Sequence, residues 1–184
     1  MACGVAAPSE AQAGWFGSDD PIRRGHAAFA DGRFGEALDS WLQAQTSDPS
    51  DRRIDYNIAQ AHYRLEDYPA AEAAFKAATA TTDTQLGADA WYGAGNAAFQ
   101  QGRYPEAIAA YEACLELRPE DEDAEANRDL AQRRYEELLE QAQDDQQEQE
   151  EQQEQQEQQE QEDDASTEEQ EQGEESQDGE QGEQ

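Results

Sequence analysis

His26 and His62 are the only imidazoles in the chain, and they lie 36 residues apart in equivalent helices of a repeating pattern. Neither stands in the HxxxH or CxxC spacing that brings two ligands to one metal ion. Ser9, Ser18, Ser40, Ser47 and Ser50 lie in no nucleophile-elbow sequence. Gly93-Ala94-Gly95 sits inside a helical pattern, where it makes no phosphate loop. Cys3 and Cys114 are too few for a disulfide framework. Cys114 falls where the parallel segments carry Ala44 and Ala78, the place of a small buried packing residue. No nucleophile, base or ligand set emerges, so the chain reads as non-enzymatic and without a cofactor.

Aromatic and amide residues are what recur in register. Arg53, Tyr56, Asn57, Gln60, Tyr63 and Arg64 form one group, and Asp89, Tyr92, Asn96, Phe99 and Gln100 form the next. Arg23, His26 and Phe29 are the corresponding candidates further upstream. Amide side chains both donate to and accept from a peptide backbone, and rings cover its apolar side chains. Arg23, Arg53 and Arg64 suit an acidic group or a C-terminal carboxylate. This chemistry is that of a groove for an extended peptide.

Such a groove needs helices side by side, and the sequence supplies them three times. Displaced by 34 residues, Phe29, Phe34, Ala37, Trp41 and Ala44 fall on Tyr63, Tyr68, Ala71, Phe75 and Ala78; displaced by 36 more, they fall on Phe99, Tyr104, Ala107, Tyr111 and Cys114. Two extra residues lie in the Thr81–Gly87 connection. Trp91, Ala94, Gly95 and Ala98 follow helical i, i+3, i+4, i+7 spacing and predict a helix over Ala88–Gln101. Gly102-Arg103 predicts a turn, and Tyr104–Leu117 a second helix with Pro105 in its first turn. Gly32-Arg33 and Glu66-Asp67 hold the same turns upstream, and the opening helix is set at Asp20–Ala30. One hairpin cannot bury its apolar stripe alone, whereas a stack of three can, provided a polar-faced helix ends it. Asp121–Gln141 fits that role through Ala124, Asn127, Leu130, Ala131, Tyr135, Leu138 and Leu139. The first helix of each pair then lines the inner surface, which carries the residues named above.

Charge bounds the partners. The net charge of −33 divides into −14 over residues 1–142 and −19 over residues 143–184, where no base occurs. A domain so acidic is a poor match for a phosphate backbone, so nucleic acid is set aside. No run of about 20 apolar residues exists to span a membrane. From Gln143 onward Gln, Glu, Asp, Gly and Ser dominate, with no aromatic or branched aliphatic residue, which predicts a disordered or transiently helical acidic tail. Residues 1–17 have two readings. One is an ordinary disordered terminus; the other is a signal-peptide remnant, because Ala11-Gln12-Ala13 has the small-residue form of a signal-peptidase site.

The set Phe29, Gly32, Phe34, Ala37, Trp41, Ala44 and Pro49, with its two later copies, resembles the tetratricopeptide repeat. This implies an all-α, right-handed α–α superhelix over residues 18–142: repeats at about 18–51, 52–87 and 88–119, and a capping helix at about 120–142. Gly14-Trp15-Phe16, the run Tyr92–Phe99, Ala107-Ile108-Ala109-Ala110-Tyr111 and Pro119–Asn127 leading into a Gln-rich tail further resemble the BatC-type (Bacteroides aerotolerance) repeat proteins. That resemblance implies assembly with membrane-anchored von Willebrand A-domain proteins beside a MoxR-type ATPase, in a bacterial envelope role tied to stress tolerance. It implies a periplasmic or envelope location if an upstream signal peptide exists, and a cytoplasmic one otherwise. Ala59-Gln60 departs from the Gly-Asn of the family pattern. The expected function is a protein–protein interaction scaffold; the competing expectation is a polyanionic, chaperone-like or cation-buffering protein acting through its tail.

Overall fold

The computed structural model describes residues 20–178, and the side chains of residues 20–150, 152 and 153. The readings made of residues 1–17 lie outside them. The described chain is helical: α1 (Pro21–Ala30), α2 (Phe34–Ser47), α3 (Arg52–Arg64), α4 (Tyr68–Ala78), α5 (Thr84–Gln100), α6 (Tyr104–Leu117) and α7 (Glu122–Asp178). Among these residues there is no strand.

Aspartates start most of these helices. Asp20 accepts from Ile22 N, Asp51 from Arg53 N, Asp67 from Ala70 N, Asp83 from Gln85 N and Leu86 N, and Asp121 from Ala124 N. Each occupies amides that a helix start leaves without partners. Pro21, Pro69 and Pro105 fall in the first turn, where a missing N–H is harmless. The turns inside the hairpins share one geometry. Gly32 (φ 77°), Glu66 (φ 62°) and Gly102 (φ 71°) are left-handed, and the next residue bonds back: Arg33 N to Ala28 O, Asp67 N to His62 O, Arg103 N to Ala98 O.

The described residues fall into two units that divide between Tyr135 and Glu136. In the first, α1–α2, α3–α4 and α5–α6 are hairpins, and α2–α3 and α4–α5 contacts join them in sequence. An edge-to-face ring pair closes each hairpin: Phe29–Phe34 at 5.1 Å, Tyr63–Tyr68 at 5.4 Å and Phe99–Tyr104 at 5.4 Å. Trp41 and Tyr111 are fully buried between helices, with Ala37 and Ala44 around the first and Ala98 and Ala107 around the second. Ala124 packs with Ala88 and Cys114, and Ala131 with Ala98, Ala107 and Tyr111, so the start of α7 covers the third hairpin.

Two boundaries differ from those expected. Helix α5 begins at Thr84, four residues before Ala88. The Asp83 cap and the seating of Gly87 against Leu117 draw the connection's extra residues into a further helical turn. Helix α7 runs to Asp178, past the end expected for the capping helix at about 142. Burial ends where that stripe weakens, since the described side chains after Tyr135, including Leu138 and Leu139, are exposed. The backbone continues because Gln and Glu are good helix formers and helical hydrogen bonding needs no neighbour. No described helix is long and apolar enough to cross a membrane.

Candidate functional site

An open cleft of about 280 Å³ lies on the face built from the first helices of the three hairpins. Phe29 of α1, Tyr56, Gln60, Tyr63 and Arg64 of α3, and Tyr92 and Asn96 of α5 line it, as the repeat register predicts. Its surface is mainly aromatic, with amide groups from Gln60 and Asn96. Burial holds the Tyr56 phenol above the ordinary tyrosine value, with a smaller opposing effect from a Gln60 hydrogen bond. The Tyr56 ring therefore presents a neutral hydroxyl and an apolar body at physiological pH.

Two further lining residues, Phe75 and Gly93, were not among the proposed contacts. Phe75 reads as core in the sequence, and it is indeed buried, yet its ring also reaches the cleft. Tyr56 meets it edge to face at 5.6 Å. Gly93 contributes bare backbone. Asp89, placed on this face by the repeat register, accepts from Arg118 Nη1 at 2.8 Å.

Phe99 and Gln100 line a neighbouring cleft of about 210 Å³, together with Asn96, Tyr111, Asn127 and Leu130. Asn96 touches both. Its Oδ1 accepts from the Tyr111 hydroxyl at 2.8 Å and from Asn127 Nδ2 at 3.3 Å, and Asn127 Nδ2 also donates to the Tyr92 hydroxyl at 2.9 Å. The carbonyl half of Asn96 is thus occupied by the fold, and Asn127 of α7 fixes two groove residues. In the sequence Asn127 belongs to the cap stripe; only the crossing of α7 over α5 shows what its amide does. The buried Tyr111 phenol is held well above its ordinary value, first by desolvation, which keeps it a donor to Asn96.

Arg53 and Asn57 stand apart from the aromatic cleft. Arg53 is in the first turn of α3, where its Nε and Nη2 close on Asp51 at 2.8 and 2.6 Å. That bidentate pairing raises its pKa and fills the fork expected to take an acidic ligand. Asn57 follows Tyr56 by one residue, about 100° around the helix, and is half-buried outside the cleft lining. Arg64 lies over the rings of Phe34 at 4.3 Å and Phe29 at 5.7 Å, a cation–π stack linking the second hairpin to the first. His26 packs against Trp41 at 5.4 Å. Among the described residues, no group of three or more His, Cys, Asp or Glu side chains is arranged to hold a metal ion.

Comparison with known proteins agrees with this geometry. No curated protein sequence matches the chain. Among solved structures, the first TPR of Spaghetti (RPAP3) bound to HSP90 peptide SRMEEVD is 26% identical, with a TM-score of 0.58, covering 61% of this chain and 88% of that one. The first TPR domain of human RPAP3 is 26% identical with a TM-score of 0.58, covering 64% and 91%. The Sgt2 TPR domain from Aspergillus fumigatus, at 24% identity, TM-score 0.59 and coverage of 66% and 80%, shares the fold. The tetratricopeptide repeat model matches residues 22–85 and 56–122, more than half of the sequence, and with three stacked hairpins under it the chain belongs to the tetratricopeptide repeat family.

Proposed function

We propose that this protein is a non-catalytic scaffold that holds an extended segment of a partner polypeptide in the cleft between α1, α3 and α5. The observation that carries this reading is the convergence of Tyr56, Tyr63, Tyr92 and Phe29 rings with the Gln60 and Asn96 amides in one open cleft. Rings at such a surface cover apolar side chains, and amides match a peptide backbone. The Spaghetti (RPAP3) repeat domain, similar in fold and in sequence, is bound to a peptide. The resemblance to BatC-type proteins supports a finer reading: a bacterial envelope complex with von Willebrand A-domain proteins and a MoxR-type ATPase, serving stress tolerance. In that reading the protein is periplasmic or envelope-bound if a signal peptide lies upstream, and cytoplasmic otherwise.

Selection of peptides from a displayed random library against the full chain tests the site. Peptides that bind the native protein should lose about tenfold or more in affinity for a Tyr56→Ala, Gln60→Ala double variant, equivalent to about 1.4 kcal/mol. Unchanged affinity, with helicity retained, places the binding surface elsewhere.

A further inference from the structure

Three copies of one hairpin should leave three copies of one surface, yet the middle copy differs. In the first hairpin Gly25 sits directly under its own partner ring, since a Cβ there would fall 2.3 Å from Trp41 Nε1. In the third, a Cβ on Gly95 would fall 2.6 Å from Tyr111 Cε1. The second hairpin has Ala59 at this position, fully buried, so Phe75 finds no bare backbone in its own hairpin. It is received by the next hairpin instead, where a Cβ on Gly93 would fall 2.5 Å from Phe75 Cε1. The Ala59 departure from the family pattern therefore has a consequence in space. Phe75 and Gly93 meet across a hairpin boundary, and both line the cleft.

Charge says what such a site accepts. The lining holds one guanidinium, Arg64, whose face is covered by the Phe34 and Phe29 rings; outside the lining, Arg118 pairs with Asp89 and Asp121, and Arg53 with Asp51. The carboxylate in the lining is Asp89, whose side chain keeps 36% exposure and whose Oδ2 has only a 3.4 Å contact with Gln85 Nε2. Ring faces attract cations, and the Arg64 stack shows that rings of this hairpin stack take a guanidinium at 4.3 Å. Residues 1–142, which include the three hairpins, carry a net charge of −14, which concentrates cationic segments and repels anionic ones.

We infer that the cleft's occupant is a basic extended segment, with an arginine or lysine seated among Tyr56, Phe75 and Tyr92 and with Asp89 as its counter-charge. This rests on the groove reading proposed above and gives its partner a chemistry. An acidic segment such as SRMEEVD, the peptide bound by the Spaghetti (RPAP3) repeat domain, would set its carboxylates against Asp89 and the net negative charge of the repeats.

Two fluorescein-labelled nonapeptides with one alanine–leucine framework, one bearing three arginines and the other three glutamates, separate the possibilities. Anisotropy is measured on the full chain at about 0.15 M salt, where the Debye length of about 8 Å damps diffuse attraction. The arginine probe should bind at least about tenfold more tightly than the glutamate probe. Tyr56→Ala and Asp89→Asn should each weaken the arginine probe about fivefold, within the range of one cation–π contact or charge pair, while Tyr56→Phe keeps the ring and the affinity. Glu120→Gln, which removes one exposed acid outside the cleft lining, should change it less than about twofold. Circular dichroism checks that each variant is folded. Equal or better binding of the glutamate probe overturns the charge assignment, as does a Glu120→Gln effect as large as that of Asp89→Asn. A glutamate probe that wins but weakens with Tyr56→Ala leaves the groove in place and refutes only its chemistry. Binding of both probes that ignores Tyr56→Ala refutes the groove as well.

Discussion

Glu66 has φ 62°, the left-handed backbone that Gly32 and Gly102 take in the other two hairpins. For an L residue that conformation costs about 1–2 kcal/mol, partly offset because a side chain restricts the unfolded chain by about 0.4–1 kcal/mol. The Glu66 side chain is exposed and makes no described hydrogen bond. Glu66→Gly should therefore raise stability by about 0.5–1 kcal/mol, read as a higher urea midpoint at unchanged slope. A lower midpoint would show that the turn holds no strain. The turn itself is legible in sequence from Gly32 and Gly102, and Glu66 is placed there by register alone. The second role of Phe75 is not, because a buried ring and a buried ring that also lines a cleft look the same in a helical stripe. The clue is Ala59 in place of glycine, and its meaning depends on Gly93, which faces the Phe75 ring from another hairpin.

At the scale of elements, capping decides where helices begin. Asp83 accepts from two amides, Gln85 N at 3.0 Å and Leu86 N at 3.2 Å, and this starts α5 a turn before the apolar pattern does. Apolar periodicity marks Ala88 onward because burial begins near there; it is blind to a first turn held by a side-chain oxygen. Asp83→Ala should cost about 1 kcal/mol and speed exchange of the Gln85 and Leu86 amides. If those amides exchange as in the native chain, the start of α5 is held by the packing of Gly87 on Leu117 instead. Helix α7 shows the reverse case. Its apolar stripe predicts where it packs, through Ala124 and Ala131, whereas its length follows from the propensity of Gln and Glu.

For the repeat array, two buried carboxylates mark the junctions between hairpins. Asp55 of α3 accepts from Gln45 Nε2 of α2 at 2.6 Å and from Arg52 Nη1 at 2.7 Å. Glu72 of α4 accepts from Lys76 Nζ at 2.6 Å, Arg103 Nη1 at 2.7 Å and Gln101 Nε2 at 2.8 Å, tying the second hairpin to the turn of the third. In stacked repeats, coupling between neighbours sets cooperativity. Hydrogen bonds to charged groups contribute about 1.5–3 kcal/mol when buried, and less here because Lys76 and Arg103 are half in solvent. Glu72→Ala should lower stability by about 1–2 kcal/mol and broaden the urea transition as the hairpins uncouple. A single, unshifted transition would assign the coupling to apolar contacts alone. Sequence marks Asp55 and Glu72 as surface acids, since their burial arises only when hairpins meet.

The sequence by itself determines three hairpins, their register, the turn positions, the cap and the face that carries aromatics and amides. All of these follow from spacing along one chain, which local backbone geometry converts into helix faces. Only the tertiary structure decides which of those residues share a cleft. It brings Tyr56, Gln60, Tyr63, Arg64, Tyr92 and Asn96 together, sets Arg53 on Asp51, and occupies the Asn96 carbonyl with Tyr111 and Asn127. Those outcomes depend on how a ring from one hairpin meets bare backbone on the next, and no periodicity within a single helix encodes that meeting.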